Sequence, residues 1–130
     1  MSTLFLSKKD VRDLLEMPAV IVALEQACTQ LLAHAEMFAL RLIKVFDCSE
    51  DAVEKLARSF PEYPLQDCSL EETVASDIVC TVTTARQPLL KRKWVIPGTH
   101  INAIGADAKG KEELELSILK EAIVVVDDLE

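Results

Sequence analysis

The sequence predicts an α/β fold in three layers, a parallel sheet flanked by helices and preceded by a helical N-terminal segment. Three observations carry this reading. Helical periodicity dominates before Ala39, and from Arg41 onward short β-branched or apolar runs alternate with capped helical stretches. Leu, Val, Ile and Ala supply most of the apolar mass while aromatics make up 5%, a balance that suits stacked helices and buried parallel strands. A chain of 130 residues has room for one hydrophobic core and therefore one domain.

Taken in order, Thr3 to Leu6 is a short apolar run, and Ser7 with Asp10 forms a capping signal for a helix through about Glu16. Pro18 suits the first turn of a second helix, in which Val20, Ile21, Leu24, Ala27, Leu31, Leu32, Ala35 and Phe38 recur at helical spacing to about Ala39. Leu42 to Phe46 reads as a strand, Ser49 as the cap of a helix from Glu50 to Phe60, and Pro61 and Pro64 as breakers before a short strand near Leu65. Ser69 caps a brief helix, Asp77 to Thr83 is a buried strand, and Pro88 to Lys93 a turn with a short helix. Pro97 and Gly98 introduce a strand from Thr99 to Ile104. Glu112 to Lys120 is expected as an amphipathic helix with Leu114, Leu116 and Leu119 on its apolar side, and Ile123 to Val126 as a final strand.

With 22 acidic against 14 basic residues the formal charge is −8, which repels phosphate backbones and anionic membranes and argues against nucleic-acid or membrane partners. Arg86, Lys91, Arg92 and Lys93 form one basic cluster, read as a solvated helix face. Cys28, Cys48, Cys68 and Cys80 show no C-x-x-C pair and no zinc spacing, so four reduced thiols and no metal are expected. The opening residues are too short for a signal h-region and no run approaches membrane-span length, which points to the cytoplasm.

Asp47 ends the first strand, where a carboxylate in a dinucleotide-binding fold accepts hydrogen bonds from the adenosine ribose and favours NAD over NADP; a turn acid is the alternative. Asn102, Gly105 and Asp107 lie in Thr99-His-Ile-Asn-Ala-Ile-Gly-Ala-Asp107-Ala-Lys-Gly110, a strand running into a loop, and ligands of parallel sheets bind at such carboxyl ends. Asp107 there could move a proton to or from a substrate, or be an ordinary turn residue. Thr83 and Thr84 end another strand, and their hydroxyls could line a groove or simply serve strand formation. His34 and His100 are solitary in sequence, His34 on a helix and His100 in a strand.

Asp77-Ile-Val-Cys-Thr-Val-Thr-Thr84, Trp94-Val-Ile-Pro-Gly-Thr-His-Ile-Asn-Ala-Ile-Gly-Ala-Asp107, Gly110-Lys-Glu-Glu-Leu114 and Val124-Val-Val-Asp-Asp-Leu-Glu130 together resemble the central part of ornithine cyclodeaminases, mu-crystallins and archaeal alanine dehydrogenases. Phe5-Leu-Ser-Lys-Lys-Asp-Val-Arg-Asp-Leu14 resembles the opening of the same family. The resemblance implies a single, truncated Rossmann-like domain, with 1–26 matching the family N-terminus and 27–130 its NAD-binding core. It implies NAD as cofactor, a small amino acid as substrate and an imine formed by hydride transfer. Asp107 would be the catalytic carboxylate, Asp47 would hold the ribose, and Thr83, Thr84, Asn102 and Gly105 would border the cofactor. A homodimer is compatible with it.

Counting back from Asp47, the family's Gly-Ala-Gly-x-Gln phosphate turn falls on Gln26-Ala-Cys-Thr-Gln30, with Gln26 and Cys28 where glycines belong. Side chains there obstruct the close backbone approach that a pyrophosphate needs. The family material between the opening helix and this turn is absent, including the central strand of a 3-2-1-4-5-6 sheet, and Thr3 to Leu6 is the expected substitute. Three functions follow: NAD-dependent cyclodeamination or dehydrogenation that is lost or weakened, a non-catalytic nucleotide or small-ligand module, or a ligand-free structural remnant or engineered minimal domain.

Overall fold

Strand-forming runs separated by capped helices give the chain its alternation. A computed structural model describes residues 23–106 and 108–126. The elements are α1 (Ala23–Met37), β1 (Ile43–Val45), α2 (Glu50–Ser59), β2 (Leu65–Asp67), α3 (Leu70–Val74), β3 (Ile78–Thr81), a 3₁₀ turn (Arg92–Trp94), β4 (His100–Ala103) and α4 (Leu116–Glu121). The helix expected from Ser7 and the strand expected at Thr3 to Leu6 lie outside the described residues.

Both strand pairings are parallel, as the βα alternation predicts. β1 pairs with β2 in the register Ile43–Leu65 to Val45–Asp67, and β3 pairs with β4 in the register Ile78–His100 to Thr81–Ala103. Among the described residues the strands form two two-stranded parallel sheets. Lys44 on β1 donates from Nζ to Glu72 O (2.8 Å) and Ala75 O (3.1 Å), fastening the first half to the C-terminal carbonyls of α3.

Three layers are built around β3 and β4. Val79 faces the core with Val74, Leu90 and Ile118, against which Leu70, Trp94 and Ile101 pack. Residues alternate across a strand, so Cys80 and its registered partner Asn102 face the other way, where α1 lies.

α3 begins in the expected capping box. Glu72 N–H donates to Ser69 Oγ, and Ser69 returns its own N–H and hydroxyl to Glu72 Oε2. Those bonds, the hydroxyl first and the amide second, hold the Glu72 carboxyl below the usual carboxylate range. Ser49 heads α2 but makes no side-chain cap; its N–H instead donates to Asp47 Oδ1 at 2.8 Å. The Pro97–Gly98 turn needs glycine, because Gly98 has φ +89°.

Two expectations near the C-terminus are corrected. The helix expected from Glu112 begins at Leu116, because Leu89 and Leu90 donate their N–H groups to Glu113 O and Leu90 pairs with Leu114 as an isolated parallel bridge. Extended backbone at 113–115 rotates the apolar side, so Ile118 enters the core while Leu116 and Leu119 are exposed. Ile123 to Val126 forms no strand and is exposed, with Ile123 97% accessible. No described helix is long and apolar enough to cross a membrane.

The shifted face gives a direct test. Ile118→Ala is expected to lower unfolding free energy by about 3 kcal/mol in urea denaturation, from lost burial and a residual cavity. Leu116→Ala should stay within about 0.5 kcal/mol of the parent.

Candidate functional site

The carboxyl ends of β3 and β4 converge on one buried carboxylate. Glu113 is 1% exposed and Thr81 5%. Glu113 Oε2 accepts from Thr81 Oγ1 at 2.6 Å, while Oε1 accepts from Thr83 N–H at 2.8 Å and Thr83 Oγ1 at 2.7 Å. A buried carboxylate is costly unless its lone pairs are occupied, and the strand-end hydroxyls occupy them.

Gly105 completes the arrangement. Its N–H and that of Ile104 both donate to Thr81 O. A Cβ at 105 would collide with Thr83 N, Thr83 O and Glu113 Oε1, so glycine is required by close backbone approach and not by φ. Thr83 and Gly105, both expected beside a cofactor, are thus brought together, and Thr84 next to them is exposed. Glu113 was not singled out from sequence. Its only signal is the run of hydroxyls at Thr81, Thr83 and Thr84, which must find an acceptor if buried.

On the opposite face α1 places His34 against the strands. His34 Nδ1–H donates to Gln30 O at 2.7 Å, because a carbonyl can only accept, which leaves Nε2 as an acceptor. Asn102 Nδ2–H donates to that Nε2 at 3.1 Å, and Asn102 Oδ1 accepts from His100 Nε2–H at 3.0 Å. Cys80 Sγ lies 3.7 Å from His34 Nε2. Sequence left both histidines solitary; the fold joins them through one amide. Burial pushes the Cys80 thiol up, with the Asn102 hydrogen bond opposing, so Cys80 is a protonated structural thiol and a poor nucleophile.

Asp47 sits exposed after β1 with its Oδ1 on Ser49 N–H, the geometry of an Asx turn. Asp107 lies outside the described residues. Among the described residues no cluster of His, Cys, Asp or Glu is arranged for a metal.

The whole chain, residues 1–130, matches the model of the ornithine cyclodeaminase/mu-crystallin family. The protein belongs to that family. It is similar to the alanine dehydrogenase of Archaeoglobus fulgidus, 45% identical over 109 residues that cover 75% of this chain and 33% of that protein. It is also similar to ketimine reductase mu-crystallin of Rattus norvegicus, 33% identical over 106 residues, covering 81% and 34% respectively. An archaeal alanine dehydrogenase dimer with bound NAD superposes with a TM-score of 0.77 at 40% identity, over 80% of this chain and 33% of that one. The chain spans about a third of the length of the relatives it matches.

The stretch Gln26–Gln30, expected from spacing to fall at a phosphate turn, is helical. It lies inside α1, where from Ala27 onward each N–H follows the i to i−4 helical pattern. Those amides are engaged within the helix, and no glycine lets a phosphate approach the backbone. These residues do not fit the pyrophosphate of a dinucleotide.

Two outcomes test the site. Glu113→Ala leaves three donors without their acceptor and is expected to lower stability by at least about 3 kcal/mol. Glu113→Gln keeps an oxygen for the Thr83 donors and should cost roughly half as much, both read by urea denaturation. In mass-resolved alkylation with iodoacetamide, exposed Cys48 reacts before Cys80, and the rate at Cys80 rises only at pH values above those that activate an ordinary thiol.

Proposed function

We propose that the chain is a member of the NAD-dependent amino-acid cyclodeaminase and alanine dehydrogenase lineage whose turnover is lost or weak. The observation that carries this reading is the helical backbone through Gln26–Gln30. A dinucleotide domain owes much of its affinity to amides presented at a helix start, and a helix interior presents none. Asn102, a residue the family resemblance sets beside the cofactor, supports the same reading because its amide is taken up by His34 and His100. Gly105 is closed in by Thr83 and Glu113. No chemical step is routed through NAD on these residues.

A weaker binding function has its own support. Asp47 and Thr84 remain exposed at strand ends, so a ribose or another small polyol could meet the Asp47 carboxylate without a phosphate turn. In this reading Asp107 is the candidate catalytic carboxylate of the ancestral reaction on a small amino acid. The exposed apolar side chains Met37, Phe38, Leu42 and Phe46 supply a surface for a homodimer.

Titration with NADH, followed by thermal shift and calorimetry, separates these outcomes by mass action. The expected result is no saturable heat and no rise in Tm up to about 1 mM NADH. Micromolar NADH affinity would overturn the loss of the cofactor site, and turnover of ornithine or alanine with NAD would overturn the loss of activity.

A further inference from the structure

Two histidines far apart in sequence meet at the two ends of one side-chain amide. His34 on α1 donates Nδ1–H to Gln30 O at 2.7 Å, so only Nε2 is left to face the strands, where Asn102 Nδ2 lies at 3.1 Å. At the other end of the amide, Asn102 Oδ1 is 3.0 Å from His100 Nε2. Cys80 Sγ is 3.7 Å from His34 Nε2 and 4.0 Å from its Nδ1. Being nearly equidistant from both nitrogens, the sulfur stands off the line of the Nε2 lone pair and does not replace Asn102 as its partner.

An asparagine side chain offers one oxygen and one NH₂ group, and here each points at an imidazole. With His34 neutral every group is satisfied, because the amide donates to His34 Nε2 and accepts from His100 Nε2–H. A proton added to His100 leaves this pattern intact, since an imidazolium still donates through Nε2. A proton added to His34 sets N–H against N–H. Turning the Asn102 amide over relieves that clash only when His100 Nε2 carries no proton, because the NH₂ group then faces His100. The relay therefore holds one imidazolium, at either end, and not two.

We propose that the His34–Asn102–His100 relay is a proton-sensitive latch between α1 and the β3–β4 pair, closed while at most one of the two histidines is charged and opened when both are. The titratable groups that meet His34 are Cys80 from β3 and, through the amide, His100 from β4. From α1 itself come the Gln30 carbonyl and the Phe38 ring, its centroid 6.2 Å from that of the imidazole. None of these contacts supplies a carboxylate to neutralise a second charge. His100 is exposed and exchanges its proton directly with water. The latch's hold on α1 is present at about pH 8 and is lost as pH falls toward about 5, the interval in which imidazoles take up protons. No dinucleotide takes part, so the latch stands apart from the question of the cofactor site.

Amide hydrogen exchange of α1 in the full chain, at about pH 8 and about pH 5 and expressed as protection factors corrected for the intrinsic pH dependence, reads the latch directly. In the parent, protection of α1 is expected to fall about tenfold on acidification, the effect of losing one partly buried hydrogen bond. His100→Ala frees the amide to turn over toward a charged His34, so the same acidification should change protection by less than about twofold, although the side chain removed is an exposed one. Asn102→Asp offers an oxygen to each ring and reverses the sign, with protection of α1 rising as pH falls. Unchanged α1 protection in the parent between the two pH values overturns the proposal. So does an acid loss of equal size in the parent and His100→Ala, or a fall in Asn102→Asp like that of the parent.

Discussion

The carboxylate of Glu113 is the constraint on which the second half of the molecule depends. It accepts from Thr81 and Thr83 at the end of β3, while its own backbone oxygen accepts from Leu89 and Leu90. Because Glu113 is thereby pinned in extended backbone, α4 cannot begin before Leu116, and Ile118 is the residue that turns into the core. The same carboxylate lies where a Cβ on Gly105 would go, so the exit of β4 is shaped by it as well. A buried carboxylate costs desolvation, and here the Thr81 and Thr83 donors offset it.

A second polar device works on the other face. α1 is attached to β3 and β4 through His34, Cys80 and Asn102, with His100 completing the chain of hydrogen bonds. Burial of the Cys80 thiol and capture of the Asn102 amide make this face a helix–sheet joint. Gln26–Gln30 lies within α1, whose backbone amides are engaged in the helix.

Most of the element order was legible in the sequence because it rests on local rules. The alternation after Arg41, the Ser69–Glu72 capping box and the Pro97–Gly98 turn each involve residues within a few positions of one another. The ends were less legible. Ile123 to Val126 has strand-forming side chains but finds no strand to pair with among the described residues, and β-propensity is realised only in a ladder. The helix expected from Glu112 obeyed the helical period and lost to a tertiary bond.

For the candidate site, the sequence marks Thr83 and Gly105 as residues at the carboxyl ends of two different strands, and Asp47 as an acid after β1. Their partners were not recognisable, because Glu113 lies 32 residues from Thr81 and His34 lies 68 from Asn102. The sequence by itself determined the parallel α/β order, the family resemblance and the lack of any glycine before Gly98, since composition, periodicity and motif spacing are properties of the chain. Only the tertiary structure decided that Gln26–Gln30 is helical, that Glu113 clamps the strand ends, and that the Asn102 amide joins His34 to His100. Such outcomes depend on which distant groups compete for each donor and acceptor, and that competition is settled by packing in three dimensions.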